Sequence, residues 1–293
     1  MTKNSSDRPP SSPYRGSRSS NAPYNDRAPK RSFGGGNRGG SGSGGGPSGG
    51  EGEKLTDGTV WIYGTHAVMA AMANPKRKVL DLRATRNAAE ALPEGTRVNL
   101  IDGDELSAKL PAGAVHQGIA VRVTPLDIME IDQAIPDVAG IVLVLDQVTD
   151  PQNIGAVFRS AAAFGVRAII QQDRKAPPIT GSLAKAAVGG IELVPDVRVV
   201  NISQTIKQLT DDGWITVGLS GEADKELSDV LDGSPVVLVM GAEGKGLRHL
   251  VGERCDHLAR IPIGAQMESL NVSAASAIAL YAAYTAQKSH KKV

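Results

Sequence analysis

The chain has 293 residues, 32 Lys and Arg against 31 Asp and Glu, and a single cysteine, Cys255. The near-neutral balance excludes nucleic-acid binding driven by overall charge, and the lone cysteine excludes an intrachain disulfide. No apolar run has the length and character of a membrane span, and the nearest approach to a metal site, Cys255-Asp256-His257 beside His249, reads as ordinary surface or core residues, so we expect no metal, no membrane and a cytoplasmic location.

Residues 1–55 are dominated by Gly, Ser, Pro, Asn and Arg, as in Phe33-Gly34-Gly35-Gly36-Asn37-Arg38-Gly39-Gly40. A segment with so few branched apolar side chains buries too little surface to offset its ordering entropy, so disorder is expected. Residues 1–54 carry nine Lys/Arg and four acids. That cationic composition suits loose contact with a phosphate backbone, and equally a solvated leader. Subtracting those residues leaves 23 basic against 27 acidic, so the remainder needs a local basic patch to touch nucleic acid.

Residues 56–125 read as a small α/β unit. Trp61 to His66 is a strand leading into a helix over Ala67 to Ala73, stopped by Asn74-Pro75. Val79 to Thr85, Arg97 to Ile101 and Ile119 to Val123 are further strands, with a short helix from Asp104 to Leu110 capped by Asp102 or Asp104. Lys76, Arg77, Lys78, Arg83, Arg86 and Arg97 form the candidate basic patch, or a solvated face. Residues 126–139, with Pro136 and several acids, read as a linker.

From Gly140 to the end at Val293 the pattern becomes regular. The runs Ile141 to Leu145, Ala168 to Ile170, Ile215 to Leu219 and Val236 to Met240 lack polar alternation, as strands buried on both faces do. Helical segments Ile154 to Phe164, Ser182 to Val188, Ile202 to Asp211, Leu247 to Arg254 and Val272 to Gln287 lie between or after them. Such alternation implies a doubly wound parallel sheet, whose ligands collect at the carboxyl ends of its strands.

Three stretches concentrate polar residues at those ends. Asp146 to Gly155 delivers Asn153 to a helix start, with Arg159 about one and a half turns further on; an N-cap beside a surface arginine is the competing reading. Met240 to Leu247 meets neither the dinucleotide nor the phosphate-loop glycine pattern. Either its glycines allow close backbone approach to a ligand while Glu243 enters the site, or it is a tight turn with an exposed Glu. Arg260 to Ser273 reads as a strand ending at Pro262, a loop, and a Ser/Asn turn opening an Ala-rich helix.

Together, Asn153-Ile154-Gly155 with Arg159 and Phe164-Gly165, then Gly241-Ala242-Glu243-Gly244-x-Gly246, then Ile261-Pro262 with Ser269-Leu270-Asn271-Val272-Ser273 resemble the three ordered motifs of the SpoU (TrmH-like) branch of the SPOUT RNA methyltransferases. Tyr63-Gly64-x-His66 and Ala114-Val115-His116-Gln117-Gly118 resemble the ribosomal-protein-L30e-like substrate domain of members acting on 23S rRNA. The likeness covers about residues 60 to 287. It implies a trefoil-knotted α/β domain, S-adenosylmethionine as methyl donor, ribose 2′-O-methylation of RNA with a guanosine in 23S rRNA favoured, and a homodimer built with the last helix. It places cofactor contacts at Gly241, Ile261 and Leu270. Arg159 is implied to assist deprotonation, with Asn153, Glu243, Ser269 and Asn271 positioning it, the ribose or the backbone. A guanidinium is a poor base, so Arg159 gripping a phosphate while Glu243 orients it is the physical alternative. A tRNA ribose methyltransferase and a non-catalytic RNA-binding assembly factor are the alternative functions.

Overall fold

The computed structural model describes residues 57–290; the tail read as disordered lies outside them. The first sheet is built from β1 (Val60–Tyr63), β2 (Val79–Ala84), β3 (Asn99–Leu100) and β4 (Ile119–Val123) in the order β1-β4-β2-β3. β4 runs antiparallel to both β1 and β2, while β2 and β3 are parallel. Helices α1 (Thr65–Ala73), α2 (Arg86–Ala89) and α3 (Gly103–Ser107) accompany it. Asp102 caps α3, its carboxylate accepting from the Gly103 amide.

Residues 126–139 do more than span a gap. They hold α4 (Ile131–Ala134), Met129 bridges to Val197, and Ala134 and Ile135 are buried in the core of the second sheet. An Ile every few residues within an acidic stretch was the apolar face that a composition-based reading passes over.

The second sheet follows as β5 (Ile141–Asp146), α5 (Pro151–Ala163), β6 (Ile169–Gln172), α6 (Gly181–Ala187), α7 (Gly190–Leu193), β7 (Asp196–Val199), α8 (Ile202–Asp211), β8 (Ile215–Leu219), β9 (Lys225–Glu226), α9 (Leu227–Val230), β10 (Val236–Gly241), α10 (His249–Gly252), β11 (His257–Arg260) and α11 (Val272–His290). Its strands run β7-β6-β5-β10-β8-β11-β9 with every pairing parallel. The apolar runs of β5 and β10 are its centre and are buried almost throughout. β7 was not predicted: its Asp-Val-Arg-Val sequence looks polar because Asp196 and Arg198 pair with each other along the sheet edge. The helix expected over Leu247 to Arg254 contracts to the single turn α10.

The two sheets share one apolar core, in which Val60, Ile62 and Val68 join Leu183, Ala187 and Ile191. α6 lies directly against β1: a Cβ on Gly181 would sit 2.3 Å from the Trp61 carbonyl oxygen. Glycine is required there because two backbones meet, a close approach no side chain permits.

Candidate active site

The site is assembled at the carboxyl edge of the second sheet. β5 is apolar until its last residue, Asp146, whose side chain is fully buried. A desolvated carboxylate needs strong partners. Asp146 accepts from the Arg248 amide at 3.0 Å and from Arg248 Nε at 2.7 Å, which ties the loop after β10 to the end of β5.

Asp150 starts α5, its carboxylate accepting from the Asn153 amide at 2.9 Å, with Pro151 at the first helical position. This N-cap and N1 proline set the helix three residues earlier than predicted and make Asn153 part of its first turn. The second loop leaves β10 at Gly241 and doubles back: Gly246 N–H donates to the Ala242 carbonyl at 2.9 Å. A Cβ at Gly241 would lie 2.1 Å from the Gly246 carbonyl carbon, so only glycine fits the fold-back. The loop is thus a tight turn with Glu243 exposed, and the close approach that Gly241 permits is to the backbone of Gly246.

The third loop ends at Asn271, which caps α11. Its Oδ1 accepts from Ser273 N–H at 2.9 Å and from Ser273 Oγ at 2.6 Å. With the oxygen so committed, the amide nitrogen is turned outward. It donates to Asn153 Oδ1 at 2.9 Å and lies 3.5 Å from Glu243 Oε2. Side chains 118 and 28 positions apart thus meet in one cluster.

Beside the cluster opens a cleft of about 900 Å³ whose walls include Gly241, Glu243, Ile261, Ser269 and Leu270. Five sequence-predicted residues therefore line one cavity, and Asn153 and Asn271 adjoin it through Glu243. Arg159 lies six residues beyond Asn153 on α5 and is exposed. Six residues amount to about 240° of helical rotation, so the two side chains leave different faces. No described carboxylate is within ion-pair distance of Arg159; Glu243 meets Asn271 instead.

Sequence reading missed Asp146 and Arg248. The available signal was a carboxylate closing an otherwise unbroken apolar strand. It also misplaced Arg77, assigned to the basic patch: this side chain is buried and paired with Glu192. Lys76, Lys78, Arg86 and Arg97 remain exposed, while Arg83 is half-buried against Asp81 and Trp61. Cys255 is structural. Burial pushes its thiol up to about 12, with the nearby charges of Asp256 and Asp146 adding to the effect, and its Sγ donates to the Val251 carbonyl. Asp256 accepts from Thr216 N–H and Oγ1, both at 2.8 Å. Among the described residues no group of three His, Cys, Asp or Glu is arranged to hold a metal ion, and no helix is long and apolar enough to cross a membrane.

Residues 140–281 match the model of the SpoU rRNA Methylase family, and residues 61–129 match RNA 2′-O ribose methyltransferase substrate binding. A Pseudomonas aeruginosa protein called 23S rRNA (guanosine-2′-O-)-methyltransferase RlmB is 38% identical over 236 residues, covering 75% of this chain and 94% of that one. A protein of the same name from Escherichia coli K12 is 39% identical over 237 residues, covering 76% and 96%. The crystal structure of the SpoU methyltransferase AviRb from Streptomyces viridochromogenes superposes with a TM-score of 0.68 at 22% identity, over 80% of this chain and 91% of that one. Its complex with AdoMet gives 0.65 at 23% identity, over 80% and 92%. These structures show a common fold.

Proposed function

The chain belongs to the SpoU rRNA Methylase family, and from that premise we propose that it transfers a methyl group from S-adenosylmethionine to a ribose 2′-hydroxyl of RNA, a guanosine of 23S rRNA. The observation that carries the reading is the meeting of Asn153, Glu243 and Asn271 at the mouth of the cleft that Gly241, Ile261 and Leu270 line.

The cleft suits the donor. Its walls include the backbone of the Gly241–Gly246 turn and the apolar side chains of Leu219, Ile261 and Leu270, surfaces against which a flat base and a thioether chain pack. When bound, S-adenosylmethionine supplies a methyl carbon already activated by its sulfonium. The protein then has to align the acceptor and manage one proton.

Asn271, fixed by its capping bonds, holds the Asn153 side chain by its oxygen. Asn153 Nδ2 is left to donate to the ribose. Glu243, exposed and taking only the long contact from Asn271, keeps its carboxylate for the acceptor hydroxyl. Arg159, exposed on another face of α5, grips a phosphate of the same RNA with its planar fork, a role that needs no neutral guanidine. Ser269, exposed in the cleft wall, positions donor or backbone.

Residues 56–125 serve in this reading as an L30e-like RNA-binding domain with Lys76, Lys78, Arg86 and Arg97 toward the backbone, and 140–293 as a trefoil-knotted catalytic domain. Passage of α11 back against α5 and β10 supports the knot. A homodimer is supported by Ile278 and Tyr281, exposed on α11 beside its small residues. A ribosomal substrate puts the reaction in the cytoplasm. The test is incubation with methyl-labelled donor and separated 23S rRNA, 16S rRNA and tRNA, followed by mapping of the modified ribose. Label confined to a 23S guanosine is expected; label on tRNA alone would overturn the substrate, and none on any RNA would overturn the activity.

A further inference from the structure

The Arg77 and Glu192 side chains are 1% and 2% exposed, and among the described residues every other ion pair has at least one partner nearer solvent. Arg77 follows α1 in the first sheet's domain, and Glu192 lies in α7 beside the second sheet. The guanidinium donates through Nη2 to Glu192 Oε1 at 2.6 Å and through Nε to Oε2 at 3.2 Å; Nη1 donates to the Thr124 carbonyl at 2.9 Å. Asn74 Nδ2 adds a bond to Glu192 Oε2 at 2.7 Å. Such a network is poor at adding stability, because desolvation offsets most of its Coulomb energy, but it holds one geometry.

α7 also touches the catalytic helix. A Cβ on Gly190 would lie 2.5 Å from the Phe158 carbonyl oxygen and 3.0 Å from the Arg159 amide nitrogen, so the first residue of α7 rests on the turn of α5 that presents Arg159. A second seat lies alongside: Gly189 packs on Ala70 of α1, and Lys185 donates to the Val115 carbonyl.

We propose that Arg77 and Glu192 are positioning residues for methyl transfer, holding the RNA-binding domain in fixed register with the turn of α5 that carries Arg159. This rests on the methyltransferase reading above. RNA gripped by the first sheet's domain then arrives at Arg159 in one orientation, and loss of the network costs alignment instead of donor binding.

The test uses the full chain in two arms. In a C255A background, spin labels on L100C and V200C, both exposed in the native protein, report the distance between the two domains. A narrow distribution is expected, broadened in R77M/E192L, where an apolar pair replaces the ions without leaving either charge buried. A broad distribution in the unsubstituted pair would overturn the docking whatever the activity. In the second arm, R77M/E192L is expected to keep its KM for S-adenosylmethionine and lose kcat on 23S rRNA roughly ten- to hundredfold, the scale of a small misplacement. Unchanged kcat with a broadened distance would overturn the positioning role, as would equal loss of donor affinity, which marks a merely structural pair. Ala70→Leu, a wedge at the Gly189 seat that leaves the ion pair in place, is the second variant and is expected to act in the same direction. Failure of the unsubstituted protein to methylate any RNA would defeat the methyltransferase reading and the role in catalysis, while the distance arm would still decide the docking.

Discussion

Two polar clusters, one at the sheet edge and one between the sheets, show how differently the same residue types are used. The Arg77 and Glu192 side chains are buried and Asn74 is half-buried beside them, and the carboxylate accepts three hydrogen bonds from the other two side chains. Asn153, Glu243 and Asn271 are joined by one good hydrogen bond and one long contact; Asn153 Nδ2 donates to no described group, and Glu243 is exposed. A cluster with its bonding capacity used up fixes geometry. One with capacity to spare is available to a ligand.

The contrast is broken most sharply by removing one carboxylate from each. Glu192→Ala strands a buried guanidinium and is expected to lower unfolding free energy by about 3–5 kcal/mol. Glu243→Ala removes an exposed group and is expected to stay within about 0.5 kcal/mol. Urea unfolding of both variants checks this, and equal losses would erase the distinction.

Gly241→Ala sharpens the comparison at the cleft. Its Cβ would overlap the Gly246 backbone, so the loop must open. A loss of S-adenosylmethionine affinity of roughly tenfold or more is expected by calorimetry, about 1.4 kcal/mol. The smallest effect concerns Cys255, on neither cluster. A thiol whose folded pKa is raised to about 12 from an ordinary 9.0 contributes stability that is fully present below pH 9 and lost as pH rises toward 12. The native chain should therefore lose stability faster than Cys255→Ala between pH 9 and 10.5, and Cys255 should react with thiol reagents only slowly at pH 8.

Sequence patterns reached the central strands because β5 and β10 are apolar along nearly their whole length, and β8 and α8 fall on their predicted bounds. They missed β7, where charges on an edge strand mimic a loop, and took α4 for a spacer. The candidate site residues stand out only as three motifs read together, since Asn153 or Glu243 alone looks like a cap or a turn. Arg77 was misread because a buried arginine in a Lys-Arg-Lys run is indistinguishable from its exposed neighbours until Glu192, 115 positions away, is brought beside it. Asp146 and Arg248, 102 positions apart, escaped notice for the same reason.

In the proposed reaction Asn153 contacts the acceptor, while the walls of the adjoining cleft hold the donor. Single-turnover methyl transfer to 23S rRNA by Asn153→Ala, with donor binding measured on the same preparation, tests it most directly. A fall of about a hundredfold or more at unchanged S-adenosylmethionine affinity is expected. A rate within twofold of the unsubstituted protein would contradict it.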